Sequence, residues 1–115
     1  GYACMKTFGN RNDTFDDYPP DTRFLMLTCG GCCGAGLSAK MENLGRKLEK
    51  YGDAKETVTI HFASCIVSDN YHRPPCPFRN YMAQIIERKG YPLVHGTYIS
   101  KMTEEKRKQG TYHAL

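Results

Sequence analysis

The chain has 115 residues, a hydrophobic fraction of 40% and a charged fraction of 24%, values typical of one soluble globular domain with its own core. Its net charge of +4 is mild, and its dense basic run, Lys106-Arg107-Lys108, follows two glutamates. We interpret that run as a solvated end and expect no nucleic-acid partner. No apolar stretch approaches the roughly 18 residues of a membrane helix, so we also expect no membrane partner.

The first part of the chain predicts a loop, a strand and a helix in turn. Residues 1–22 are rich in Asn, Asp and Pro and read as a loop region with one helical turn near Cys4 to Phe8. The short apolar run at 23–28 predicts a buried strand. A helix is predicted over about residues 35–51, ended by Gly52, because four apolar residues recur at helical spacing: Leu37, Met41, Leu44 and Leu48.

The second part repeats this alternation. Residues 57–64 are β-branched and aromatic, which predicts a second strand, and a long irregular stretch follows it. A second helix is predicted from near Pro77 to Gly90, with an apolar stripe formed by Phe78, Tyr81, Met82, Ile85 and Ile86. A third strand is predicted within residues 92–98, and a short charged helix is predicted to begin at Thr103.

The order strand, helix, strand, helix, strand predicts an α/β fold with parallel strands. We expect a single three-layer domain of the Rossmann or flavodoxin type, with a small, mostly parallel sheet and flanking helices. Its predicted parts are an N-terminal loop region (1–22), the α/β domain (23–100) and a charged C-terminal tail (101–115). Three strands make a thin sheet, so we expect a further strand that precedes Gly1 or comes from a partner chain. Assembly of the chain into a homo-oligomer is therefore an open alternative.

Six cysteines are many for a chain of 115 residues. A secreted disulfide framework is one interpretation. We favour metal-binding or redox thiols in a reducing, cytoplasmic setting, because the cysteines cluster at predicted element ends and the apolar pattern is sufficient for a core. The chain begins at Gly1 and not at Met, so a removed leader also stays open.

The cysteines are predicted to meet at one edge of the sheet. Ligands of open parallel sheets bind at the carboxyl ends of the strands, where Cys29-Gly30-Gly31-Cys32 and Cys65 are placed. The two glycines allow a tight turn that aims backbone N–H groups at sulfur, and Cys76 lies in a loop stiffened by prolines. We predict a four-thiolate site for zinc or an iron–sulfur cluster, formed by Cys29, Cys32, Cys65 and Cys76.

Histidines and the remaining cysteines are weaker candidates. His95, late in the third predicted strand, is the alternative metal ligand. His61 is expected to pack within its strand, and His72 to be exposed on the long loop. Cys33 is a spare thiol, a resolving cysteine or a disulfide partner of Cys4, and Cys4 has no firm assignment.

Four elements together resemble the CGGC-domain family: the Cys-Gly-Gly-Cys turn, Cys65 after the next strand, Cys76 between prolines, and His95-Gly96-Thr97. The resemblance covers roughly residues 23–100. It implies a metal-binding protein, with zinc as the suggested ion, in a family whose biochemical role is not established. Members usually open with a strand and an early cysteine, and usually have proline where this chain has Cys33.

Two other functions stay open. Thiol–disulfide or sulfur-transfer chemistry would use Cys29 or Cys32 as the attacking thiol and another cysteine to resolve the intermediate. An interaction module would use the thiols only to stabilise a loop. No catalytic triad, paired carboxylate site or dinucleotide fingerprint is visible in the sequence, so it does not identify an enzyme.

Overall fold

The computed structural model describes residues 1–31, 33–68 and 74–111. Those residues form five α-helices and two short strands that pair in parallel, which confirms the predicted α/β fold class. In chain order the elements are α1 (Tyr2–Gly9), α2 (Ala35–Tyr51), β1 (Ile60–Phe62), α3 (Ser64–Val67), α4 (Arg79–Arg88), β2 (Leu93–His95) and α5 (Lys101–Lys108). Short 3₁₀ turns lie at Asp13–Phe15 and Lys55–Thr57.

The chain divides into two compact units. The first unit comprises Gly1–Phe24, His61–Cys76 and His95–Leu115, and the second comprises Leu25–Ile60 and Pro77–Val94. The predicted parts, residues 1–22, 23–100 and 101–115, were assigned from composition and motifs rather than from contacts, and they stay a prediction.

The core of the second unit lies where α2 packs against α4. Leu37 and Met41 of α2 are buried, as are Met82, Ala83 and Ile86 of α4. The predicted stripes therefore identified both helices, although Phe78 and Tyr81 of the second stripe are exposed. Helix α2 ends at Gly52, whose φ of 75° is left-handed. Tyr91 is buried beside them, and burial raises the pKa of its phenol.

The core of the first unit is aromatic. The buried Phe15 ring lies 5.4 Å from the Phe8 ring and 4.8 Å from the His61 ring, measured between centroids. His61 Nδ1 is 3.0 Å from the Gly96 carbonyl oxygen and Nε2 is 2.6 Å from the Tyr18 hydroxyl. A carbonyl only accepts, so Nδ1 donates to Gly96 and Nε2 accepts from Tyr18. His61 thus packs and is hydrogen-bonded, as its position in the strand predicted.

The predicted strand at 23–28 is wrong. These residues belong to no strand, and Leu25 and Met26 are 69% and 55% exposed. A short apolar run is a local signal, whereas a strand exists only when a neighbouring strand pairs with its backbone. The other two strands form but are shorter than predicted, at Ile60–Phe62 and Leu93–His95. The four-residue helix α3 was not predicted, and α1 extends beyond the single turn expected.

Candidate functional site

Cys29 lies in a glycine turn just before α2. Gly30 and Gly31 have φ angles of +96° and +79°, which glycine adopts without the strain of other residues. In this conformation the Gly31 N–H donates a hydrogen bond to Cys29 Sγ over 3.4 Å. The turn therefore aims a backbone amide at sulfur, as the two glycines predicted.

Helix α2 holds this turn through two contacts that the sequence analysis missed. Gly36 lies so close to the turn that a Cβ at this position would be 2.8 Å from the Cys29 carbonyl oxygen and 3.2 Å from Gly30 Cα. One helical turn later, Lys40 Nζ donates to both the carbonyl and the hydroxyl oxygen of Thr28 at 2.6 Å. Helix α2 therefore contacts the chain on both sides of the half-buried Cys29. Gly36 packs against the backbone of Cys29 and Gly30, and Lys40 is hydrogen-bonded to Thr28.

Cys65 and Cys76 are brought together at the level of the backbone. Cys65 is the second residue of α3, which follows β1 after the single residue Ala63, and it is exposed. Cys76 is half-buried. The Cys76 N–H donates to the carbonyl oxygen of Ile66, the residue after Cys65, over 2.8 Å. His72, which was expected to be exposed, lies outside the described residues together with residues 69–71 and Arg73.

The carboxyl ends of β1 and β2 are tied by a reciprocal pair of hydrogen bonds. The Thr97 N–H donates to Ser64 Oγ over 2.8 Å, and the Ser64 N–H donates to Thr97 Oγ1 over 3.2 Å. Both residues are only 7% exposed. His95, the last residue of β2, is exposed, and its ring packs edge-to-face against Phe62 with the centroids 5.5 Å apart.

Cys4, which had no firm assignment, joins this arrangement. Its Sγ lies 3.2 Å from Thr97 Oγ1. That oxygen also accepts from the Ser64 amide, and either the Cys4 thiol or the Thr97 hydroxyl can donate in the bond between them. In the first unit, Thr97 thus contacts both Cys4 and the residue before Cys65. Cys76 is joined by its backbone to Ile66, and His95 packs on Phe62.

The predicted ligands divide between the two units. Cys29 belongs to the second unit and Cys65, Cys76 and His95 to the first, while Cys32 lies outside the described residues. Among residues 1–31, 33–68 and 74–111, no three Cys, His, Asp or Glu side chains form a group that could hold a metal ion. The full ligand set includes Cys32 and stays a prediction. The five described cysteines are free thiols, so Cys4 and Cys33 are not joined in a disulfide.

These features define a small, cysteine-rich α/β protein with thiols near its strand ends and at a glycine turn. The chain belongs to the CGGC domain family, whose model matches residues 1–98. The resemblance seen in the sequence is confirmed, and the match extends it to the N-terminal segment that carries Cys4. No curated protein and no solved structure matched the chain. None of the helices in the described ranges is long and apolar enough to cross a membrane.

Proposed function

We propose that this protein binds a metal ion or cluster through Cys29, Cys32, Cys65 and Cys76, with His95 as the alternative ligand. The bound group is zinc or an iron–sulfur cluster, because thiolates are soft ligands that favour both. Membership of the CGGC domain family is consistent with this role. We also assign the protein to a reducing, cytoplasmic compartment, where its thiols would remain available.

The observation that carries the proposal is the Gly31 N–H bond to Cys29 Sγ. An amide aimed at sulfur stabilises the negative charge of a thiolate and orients its lone pairs, as outer hydrogen bonds do around metal ligands. A cysteine that only filled space in the core would need neither the positive-φ glycines nor this donor. The hydrogen bond to Cys29 Sγ therefore fits a cysteine that binds a metal as a thiolate.

The Cys65 and Cys76 segments supply a second argument. Their backbones are already joined by the Cys76 N–H bond to Ile66, so two thiol-bearing segments are held together before any metal arrives. Such preorganisation reduces the entropy that ordering the loop would otherwise cost on binding. In this proposal Cys29 and Cys32 form one ligand pair, and Cys65 and Cys76 form the other.

Metal content tests the proposal. Protein purified under reducing conditions, without chelator or metal-affinity resin, is expected to contain about one equivalent of zinc, or iron with inorganic sulfide. Cys29→Ser should lose that metal, whereas Cys33→Ser, at an exposed thiol outside the proposed ligand set, should retain it. Less than about a tenth of an equivalent in the unaltered protein would contradict metal binding.

The glycine turn also favours a second candidate, thiol–disulfide or sulfur-transfer chemistry at Cys29 and Cys32. The Gly31 amide would stabilise a nucleophilic thiolate by the same hydrogen bond. Metal-free protein whose Cys29 or Cys32 is alkylated faster than free cysteine at neutral pH would support this function. Alkylation no faster than that of free cysteine would exclude it.

A further inference from the structure

The Tyr18 hydroxyl and the His61 imidazole form a proton donor and acceptor pair in the first unit. Tyr18 Oη lies 2.6 Å from His61 Nε2, and His61 Nδ1 lies 3.0 Å from the Gly96 carbonyl oxygen. Because the carbonyl holds the ring proton on Nδ1, Nε2 of the neutral ring presents its lone pair to the phenol. This is the arrangement of a general base and its proton source, with the base oriented by a third group.

The loop that follows Tyr18 is anchored by the Arg11 side chain. The guanidinium of Arg11 donates four hydrogen bonds of 3.1–3.3 Å to three backbone carbonyl oxygens, those of Pro19, Pro20 and Thr22. A guanidinium can bind several acceptors at once because its N–H donors form a rigid planar fork. These bonds limit the movement of the loop and so help to keep the Tyr18 phenol at its distance from Nε2.

An aromatic ring encloses the pair on one side. The centroid of the buried Phe15 ring lies 4.8 Å from that of His61 and 6.2 Å from that of Tyr18. Tyr18 and His61 are themselves half-buried. Low polarity around a hydrogen bond strengthens it, and the Phe15 ring offers the phenol proton no competing acceptor. Nε2 is therefore the acceptor to which the Tyr18 proton can move directly.

A second enclosed tyrosine has no such base. Tyr91 of the second unit is 4% exposed, and its hydroxyl has no hydrogen-bond partner within the described part of the chain. Burial raises the pKa of this phenol, because a phenolate would be poorly solvated there. A phenol that loses an electron becomes a strong acid, so it is oxidised readily only where its proton has an acceptor. The hydrogen bonds of the two tyrosines thus favour Tyr18 over Tyr91 as a site of one-electron chemistry.

We propose that Tyr18 is a redox-active tyrosine that gives one electron to a high-potential metal complex while His61 accepts its proton. The electron reduces the metal of the oxidant, and the O–H bond of Tyr18 breaks as an N–H bond forms at Nε2. The products are a neutral phenoxyl radical and an imidazolium whose two N–H groups point to the phenoxyl oxygen and to the Gly96 carbonyl. An electron returned to Tyr18 brings the proton back from Nε2. No bond forms between Tyr18 and the oxidant, so the step needs no substrate pocket.

This activity does not rest on the proposed metal binding. Tyr18 and His61 are outside the proposed ligand set, and the oxidant comes from outside the chain. Metal content is determined on the same samples. Protein that lacks metal but shows the Tyr18 reaction would contradict the proposed function alone, whereas protein that binds metal but lacks the Tyr18 reaction would contradict this inference alone.

Flash photolysis of the full chain tests the inference. A light pulse generates tris(bipyridine)ruthenium(III) in the presence of a cobalt(III) electron acceptor, and the visible absorption of the tyrosyl radical is followed over time. We expect a rapid phase that Tyr18→Phe removes and Tyr51→Phe retains. Tyr51 is the matched control because it is 69% exposed, so contact with the oxidant alone would make it react before the half-buried Tyr18.

His61→Gln separates proton acceptance from hydrogen bonding. The glutamine carbonyl oxygen can still accept a hydrogen bond from the Tyr18 hydroxyl, but an amide does not take up its proton. We expect the rapid phase to slow about a hundredfold, the lower end of the usual effect of a general base. Circular dichroism of each variant reports whether it is folded.

Two results would overturn the inference: a rapid phase that persists in Tyr18→Phe, or an unchanged rate in folded His61→Gln. Heavy water provides a further test that needs no variant at His61. Because the proton moves with the electron, the rapid phase of the unaltered protein should be slower in heavy water. An equal rate in both solvents would show that His61 does not accept the proton in this step.

Discussion

Gly36→Ala is expected to weaken metal binding at least about tenfold, the scale of effect seen when the support of a metal ligand is lost. The new Cβ would lie 2.8 Å from the Cys29 carbonyl oxygen, closer than real Cβ atoms approach backbone. Either the glycine turn or the start of α2 must shift to relieve this contact, and we expect the turn at Cys29 to move. The displaced turn would lose the Gly31 N–H bond to Cys29 Sγ, and we also expect a cost of about 1–3 kcal/mol in stability.

Gly45→Ala is the matched control, because it makes the same change on the same helix. A Cβ at Gly45 would lie 3.5 Å from the Tyr91 hydroxyl, an ordinary contact. Alanine is favoured over glycine inside a helix by about 1 kcal/mol, so this variant should be at least as stable as the original protein and bind metal equally well. Zinc competition with a chromogenic chelator measures both affinities. Unchanged zinc affinity in Gly36→Ala would show that the turn does not position a ligand.

Thr97→Val is expected to lower the free energy of unfolding by about 1–3 kcal/mol, the cost of leaving a buried polar group without its partner. Valine has nearly the shape of threonine but removes the oxygen that accepts from the Ser64 N–H at 3.2 Å and lies 3.2 Å from Cys4 Sγ. The Ser64 amide would then be buried without its acceptor. Urea unfolding of the variant and of the original protein measures the difference.

Thr97→Ser separates the hydroxyl from the methyl group. It keeps the oxygen between Ser64 and Cys4, so it should retain most of the stability that Thr97→Val loses. If the two variants unfold at the same urea concentration, the hydrogen bonds of Thr97 do not hold the ends of β1 and β2 together.

The sequence predicted best those elements whose signals lie within their own residues. The bounds of α2 follow from its apolar stripe and from Gly52, and the structure has them at Ala35–Tyr51. The run at 23–28 has a strand-like composition, but pairing depends on a neighbour that no local pattern specifies. Helix α3 is a single turn that makes hydrogen bonds with distant parts of the chain, including Ser64 with Thr97, so its own four residues carried little signal.

The candidate site divides in the same way. Cysteines are candidate metal ligands by their residue type alone, so the sequence was sufficient to identify them. The glycines between Cys29 and Cys32 also predicted a backbone donor to sulfur, which the Gly31 N–H supplies. Gly36 and Thr97 support cysteines through contacts that exist only after folding, so spacing alone did not identify them. Arg107 was interpreted as part of a solvated end, yet its side chain is 20% exposed and lines a cleft beside Cys65.

The central claim is that the thiols of separate chain segments bind one metal centre, and counting the sulfur atoms around that metal tests it most directly. X-ray absorption spectroscopy of the zinc- or iron-loaded protein at the metal edge gives the number and type of bound atoms. For zinc we predict four sulfur ligands, or three with one histidine nitrogen, at metal–sulfur distances of about 2.3 Å. A shell made only of oxygen and nitrogen atoms at about 2.0–2.1 Å would contradict the claim.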